Sequence, residues 1–167
     1  MPLFSKITLI IPKLLTAMAV FFVCVQSRIY SFDNFFPALD LMAIYYWCMY
    51  KPQLLGNGYL CALGFLKDLL TGVSLGINAL TNLIIRMLIV RKEDNFEHTF
   101  YLIWIGFAII VMVSLTIKWL LFSFLAEQWL SVNMAIKQFI VSVLMYPFIH
   151  NFFNKIHGLL PRNFVNA

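Results

Sequence analysis

The chain has 167 residues, 62% of them hydrophobic and 11% charged, with a formal charge of +5 and a mean hydropathy of +0.88. A soluble domain has roughly 45–50% apolar residues, so this composition points to an integral membrane protein, read as one polytopic domain over residues 1–167 with no soluble domain left over. Lys and Arg stand at the ends of apolar runs rather than on one exposed face, which excludes a nucleic-acid partner, and Cys24, Cys48 and Cys61 all lie inside apolar runs, which argues against a disulfide framework or a metal site.

A hydrocarbon core about 30 Å thick takes about 20 apolar residues per helix, so about six transmembrane helices with short loops use nearly everything. Residues 1–27 have a charged start and an apolar stretch but no small-x-small cleavage site. They are expected to form a retained first helix that restarts at Pro12, because proline suits a first helical turn. Five further helices are expected from Phe36 to Tyr50, Leu54 to Thr71, Val73 to Val90, Phe100 to Leu125 and Ser131 to Phe153, each run bounded by Pro, Gly or charged residues. Only "TGVS" separates the third from the fourth, which predicts a tight hairpin with glycines in the turn. The longest polar insert, "RKEDNFEHT" from Arg91 to Thr99, reads as a solvated connector or a contact for a soluble partner.

Positive residues are retained on the cytoplasmic side of a membrane. With both termini cytoplasmic, Lys6, Lys51, Arg91, Lys92, Lys155 and Arg162 lie inside and Arg28 is left outside. The aromatic residues agree: Tyr45, Tyr46, Trp47, Tyr50, Tyr101 and Trp104 fall at the inner interface, and Phe35, Phe36, Trp119 and Trp129 at the outer one.

Five charges fall within the outer half: Asp40 on the second helix, Lys67 and Asp68 on the third, Lys118 on the fifth and Lys137 on the sixth. A charge at the centre of a membrane helix costs roughly 3 kcal/mol and needs a partner, so a polar cluster is expected. On the third helix Asn57, Cys61, Gly64 and Asp68 share one narrow face; Asn78, Asn82 and Arg86 on the fourth and Gln138, Ser142, Tyr146 and His150 on the sixth do the same. Such stripes either hold helices together or line a cavity for a ligand or ion. Arg86 and Lys137, near helix ends, are expected to snorkel.

"GVSLG", with Gly72, Ser74 and Gly76, satisfies a Gly-x-Ser-x-Gly pattern, but no strand precedes it as a nucleophile elbow needs. An intramembrane pairing of Ser74 with His150 fails on depth, since the two belong near opposite faces, and neither His98 nor His157 adds a metal spacing. No catalytic residue, cofactor or metal ligand is assigned.

Two stretches carry a resemblance: "PALDLMAIYYWCMYKP" and "GFLKDLLTGVSLG", followed late in the chain by "LMYPFIHNFFNKI". Together the chain resembles the MreD family of bacterial rod shape-determining membrane proteins. The family motif falls on Gly64, Asp68, Leu69, Gly72, Leu75 and Gly76, and the last-helix proline on Pro147. Lys67 departs from it, standing where an apolar residue is expected, and either snorkels or pairs with Asp40.

The resemblance implies an all-α fold similar to the substrate-binding components of energy-coupling-factor transporters. It also implies a non-enzymatic scaffold subunit of the peptidoglycan-elongation complex in the bacterial inner membrane. The implied partners are an MreC-like single-pass protein, extending to MreB, RodA and a class B penicillin-binding protein, together with membrane lipid. A membrane-embedded small-molecule-binding subunit of a transporter is the alternative. On the residues themselves, Gly64 is expected to allow close helix contact, Gly72 and Gly76 the turn, Ser74 to cap the fourth helix, and Asp68 to tie neighbouring helices through Asn78. Pro147 marks a hinge or a bend.

Overall fold

The computed structural model describes residues 2–29, 37–90, 100–125 and 132–159. These form six α-helices: α1 (Pro2–Ile29), α2 (Leu39–Tyr50), α3 (Asn57–Thr71), α4 (Ile77–Val90), α5 (Phe100–Leu125) and α6 (Asn133–Leu159). The α5 bounds are those expected. Helices α2, α3, α4 and α6 begin a few residues later, because Pro37, the 51–56 loop and the Gly72–Gly76 turn take up the intervening chain.

Pro12 does not restart the first helix. It lies inside an unbroken α1, and the Thr16 hydroxyl donates to the Pro12 carbonyl at 2.7 Å. Neighbouring helices support a proline-interrupted turn of this kind, and a nearby hydroxyl helps to satisfy the polar backbone.

Helix α2 is the centre of the bundle. Every residue from Asp40 to Met49 is buried, as expected of a helix that is apolar all round. Helices α1, α4, α5 and α6 pack directly on it, and α1 with α3, α3 with α4, α4 with α5 and α5 with α6 pack in succession around it. This corrects the interfacial reading of the aromatic run. Tyr45, Tyr46 and Trp47 are core residues at 2%, 0% and 0% exposure; Tyr46 sits edge-on to Trp47 and against Phe153. Tyr146 stacks on Phe107 with ring centres 4.0 Å apart. Tyr101 is exposed. Phe35, Phe36, Arg91, Lys92, His98, Trp129 and Arg162 lie outside the described residues, as do the side chains of Lys6 and Arg28.

Among the described residues, α5 is the helix long and apolar enough to cross a membrane by length and composition. The 12 residues of α2 reach about 18 Å at 1.5 Å per residue. Their burial on all sides is a matter of packing within the bundle and not of contact with lipid.

Candidate functional site

The sequence "KDLLTGVSLGIN" makes one residue serve two helices. The Asp68 carbonyl accepts the Gly72 N–H, which ends α3, and the Val73 N–H at 3.2 Å. Gly72 has φ +71° and Gly76 φ +102°, backbone conformations that residues with a Cβ rarely adopt. The Asp68 carboxylate then reaches across the turn. Its Oδ2 accepts the Gly76 N–H at 2.8 Å, and its Oδ1 accepts the Asn78 N–H at 3.2 Å and the Asn78 side-chain amide at 2.7 Å. The two backbone N–H groups lie at the start of α4, where the first amides have no intrahelical acceptor and a carboxylate also meets the positive end of the helix dipole.

Asp68, not Ser74, therefore supplies the cap expected for α4. Ser74 is exposed, and Asp68 is fully buried.

The matching polar stripes of α3 and α4 face each other along the hairpin. One turn back from Asp68, Gly64 lies so close to α4 that a methyl group there would overlap the Ala79 backbone and stand 2.8 Å from the Asn78 carbonyl carbon. The Asn82 side-chain amide donates to the Leu60 carbonyl at 3.3 Å. Arg86 does not snorkel. Its guanidinium donates to the carbonyls of Leu55 at 2.7 Å and Pro52 at 3.2 Å and to the side chain of Asn57, so it holds the 51–56 loop and the start of α3.

Asp40 and Lys67 form a salt bridge of 2.5 Å between α2 and α3, with side chains 4% and 12% exposed. Of the two expectations for Lys67, it is pairing with Asp40 that the structure shows. Lys118 on α5 lies within electrostatic reach of Lys67, Asp40 and Asp68, and Cys24 on α1 within reach of Lys67 and Asp40. Lys137 is exposed on α6. Four of the five expected charges thus gather around the α3–α4 turn and the start of α2.

On α6 the stripe is anchored at two levels. The Ser142 hydroxyl accepts the Ala38 N–H at 2.9 Å, capping the start of α2, and Tyr146 contacts His150 at 3.4 Å. Pro147 lies inside the helix. Having no N–H, it leaves the Val143 carbonyl without its intrahelical donor, and the Trp104 indole of α5 donates to that carbonyl at 3.0 Å. Sequence reasoning missed this bond; the available signal was a carbonyl four residues before a helical proline.

Ser74 and His150 do not come together. Ser74 belongs to the turn beside the start of α2, whereas His150 packs against Tyr46, Tyr50 and Phe100 near its other end. Among the described residues, no group of three or more His, Cys, Asp or Glu side chains could hold a metal ion.

Among the described residues, five helices around a buried central one, with polar groups directed at one another's helix ends, define a helical membrane protein whose chemistry is that of assembly. The chain belongs to the MreD family: the family described as rod shape-determining protein MreD matches residues 4–156, nearly the whole length. It is a family of membrane proteins with a role in rod-shape determination and a general association with the MreB/MreC system. No curated protein and no solved structure gives a significant match.

Proposed function

We propose that the protein is a non-enzymatic scaffold subunit of the bacterial cell-elongation complex. It sits in the cytoplasmic membrane as a multi-pass protein with both termini cytoplasmic. It binds an MreC-like single-pass protein and through it is linked to MreB, RodA and a class B penicillin-binding protein. The observation that carries this reading is the family match over residues 4–156. The chemistry of the turn supports it: both Asp68 oxygens are occupied by N–H groups of α4, so Asp68, buried and fully engaged, acts as a tie between helices and not as an acid or base.

The competing reading, a membrane-embedded small-molecule-binding subunit of a transporter, draws on the charged cluster of Asp40, Lys67 and Lys118, and on the fold expected to resemble energy-coupling-factor components. Co-purification from the native membrane in mild detergent, beside Asp68→Leu at equal abundance, separates the two. The scaffold reading expects a single-pass coiled-coil protein and cell-wall synthases with the parent, and less of them with the variant. Recovery of ATPase and transmembrane coupling subunits instead would overturn it.

A further inference from the structure

The perimeter of the bundle is uneven in height. Helices α1, α5 and α6 have 28, 26 and 27 residues, about 39–42 Å at 1.5 Å per residue, which crosses a hydrocarbon core about 30 Å thick with room for tilt. Helices α3 and α4 have 15 and 14 residues, about 21–22 Å. They pack as one antiparallel hairpin from the Asp68–Asn78 contact at one end to the Asn57–Arg86 contact at the other. Their outer face is apolar: Phe65, Leu66 and Leu69 on α3 and Leu80, Met87 and Leu88 on α4 are exposed.

Irregular chain closes both ends of this short face. At one end stands the 72–76 turn, with Gly72, Ser74 and Leu75 exposed, and at the other the 51–56 loop, with Gln53 and Gly56 exposed. Lipid-exposed irregular backbone is not found in the hydrocarbon region, because its polar groups have no water to bond there. The two stretches therefore bound the apolar layer on this side, about 22 Å apart by the length of α3.

A short span is ordinarily relieved by flanking side chains that snorkel to the headgroups. Here the cations at the two ends are tied within the chain, Lys67 to Asp40 and Arg86 to the Leu55 and Pro52 carbonyls. Tilt offers no remedy either, since it shortens the projected span of a helix.

We propose that the bilayer is thinned against the α3–α4 face, and that this face gathers lipids with short acyl chains while α6 meets chains of ordinary length. The inference rests on the multi-pass reading given above. Selection is by chain length and not by headgroup, because the exposed side chains of the face carry only hydrocarbon and one thioether. Mismatch of this kind sorts molecules among bilayers of different thickness.

The test uses the full-length protein in phosphatidylcholine vesicles that hold equal amounts of two photoreactive phosphatidylcholines, one with lauroyl-length and one with oleoyl-length chains, each with a diazirine in the chain. Adducts are mapped by mass spectrometry on α3 and α4 and, for comparison, on α6, which lies beyond α5 from α4. The expected ratio of short-chain to long-chain adducts is at least about threefold higher on α3 and α4 than on α6. Equal ratios on the two faces, or an α3–α4 face that neither lipid labels because protein covers it, would overturn the proposal.

Topology is read separately. Gln53→Cys and Leu75→Cys, at exposed positions of the two ends, are treated with a membrane-impermeant maleimide in right-side-out and inside-out membrane vesicles, with the parent and its three cysteines as the baseline. Reaction from opposite sides is expected, and it makes an equal adduct ratio a failure of the thinning alone. Reaction of both from the same side would show that the hairpin does not cross, and the multi-pass reading would fall together with the proposal.

Discussion

Asp68 and Asn78 are joined twice, through the side-chain amide at 2.7 Å and the backbone N–H at 3.2 Å, so the end of α3 and the start of α4 share one carboxylate. Asp68→Leu leaves three donors without an acceptor, the two on Asn78 buried and that of Gly76 partly buried. The expected loss of stability is about 3 kcal/mol, the scale of a lost cap plus unsatisfied buried amides. Asp68→Asn, which keeps an acceptor, should lose less. Thermal unfolding in detergent measures both, and equal stability of parent and Asp68→Leu contradicts the assignment.

The Asp40–Lys67 pair is buried enough that breaking it should cost more than removing it. Asp40→Asn or Lys67→Met alone strands one charge, and each is expected to destabilise by about 3 kcal/mol, while the double variant regains much of that. A double-mutant cycle reads the coupling directly. Additive effects would show that the two side chains do not interact.

Gly106 and Tyr45 form a second steric pair. A methyl group at Gly106 would stand 2.7 Å from the Tyr45 hydroxyl and 3.8 Å from the next ring atom, and that hydroxyl donates to the Ile103 carbonyl at 3.0 Å. Gly106→Ala is therefore expected to destabilise by about 1–3 kcal/mol, and Tyr45→Phe, by removing the clashing atom, to rescue most of it. Gly64→Ala has no such rescue, because the group it meets is the Ala79 backbone.

Trp104 supplies the donor that Pro147 lacks. Trp104→Phe should cost about 1 kcal/mol or more through the orphaned Val143 carbonyl. In that background Pro147→Ala, which restores an N–H to α6, should be less harmful than in the parent. Unfolding of the four variants tests this, and strict additivity would argue that the indole bond contributes nothing.

The α3–α4 hairpin was legible because polar residues in an apolar chain are conspicuous: the spacing of Asn57, Gly64 and Asp68 and of Asn78, Asn82 and Arg86 marks the two faces that meet. The partners of Arg86 were not legible, since carbonyls of Pro52 and Leu55 carry no side-chain signature. Tyr45, Tyr46 and Trp47 resemble an interfacial belt in composition; only the absence of any polar face on α2 hints that they are core. Ser74 matches the residue type of a cap, yet Asp68 takes the position through tertiary geometry that a linear reading does not contain. Lys118 was placed in the cluster by depth alone, and its buried helix face agrees with that placement.

The most direct measurement replaces the chromosomal gene, in the organism of origin, by versions carrying Asp68→Leu or Ser74→Ala, checks that both proteins reach equal membrane abundance, and records cell shape. If the hairpin acts as a structural tie in a rod shape-determining protein, Ser74→Ala cells remain rods and Asp68→Leu cells lose their rod form. Rounded Ser74→Ala cells with the protein intact, or unchanged rods with Asp68→Leu, would contradict it.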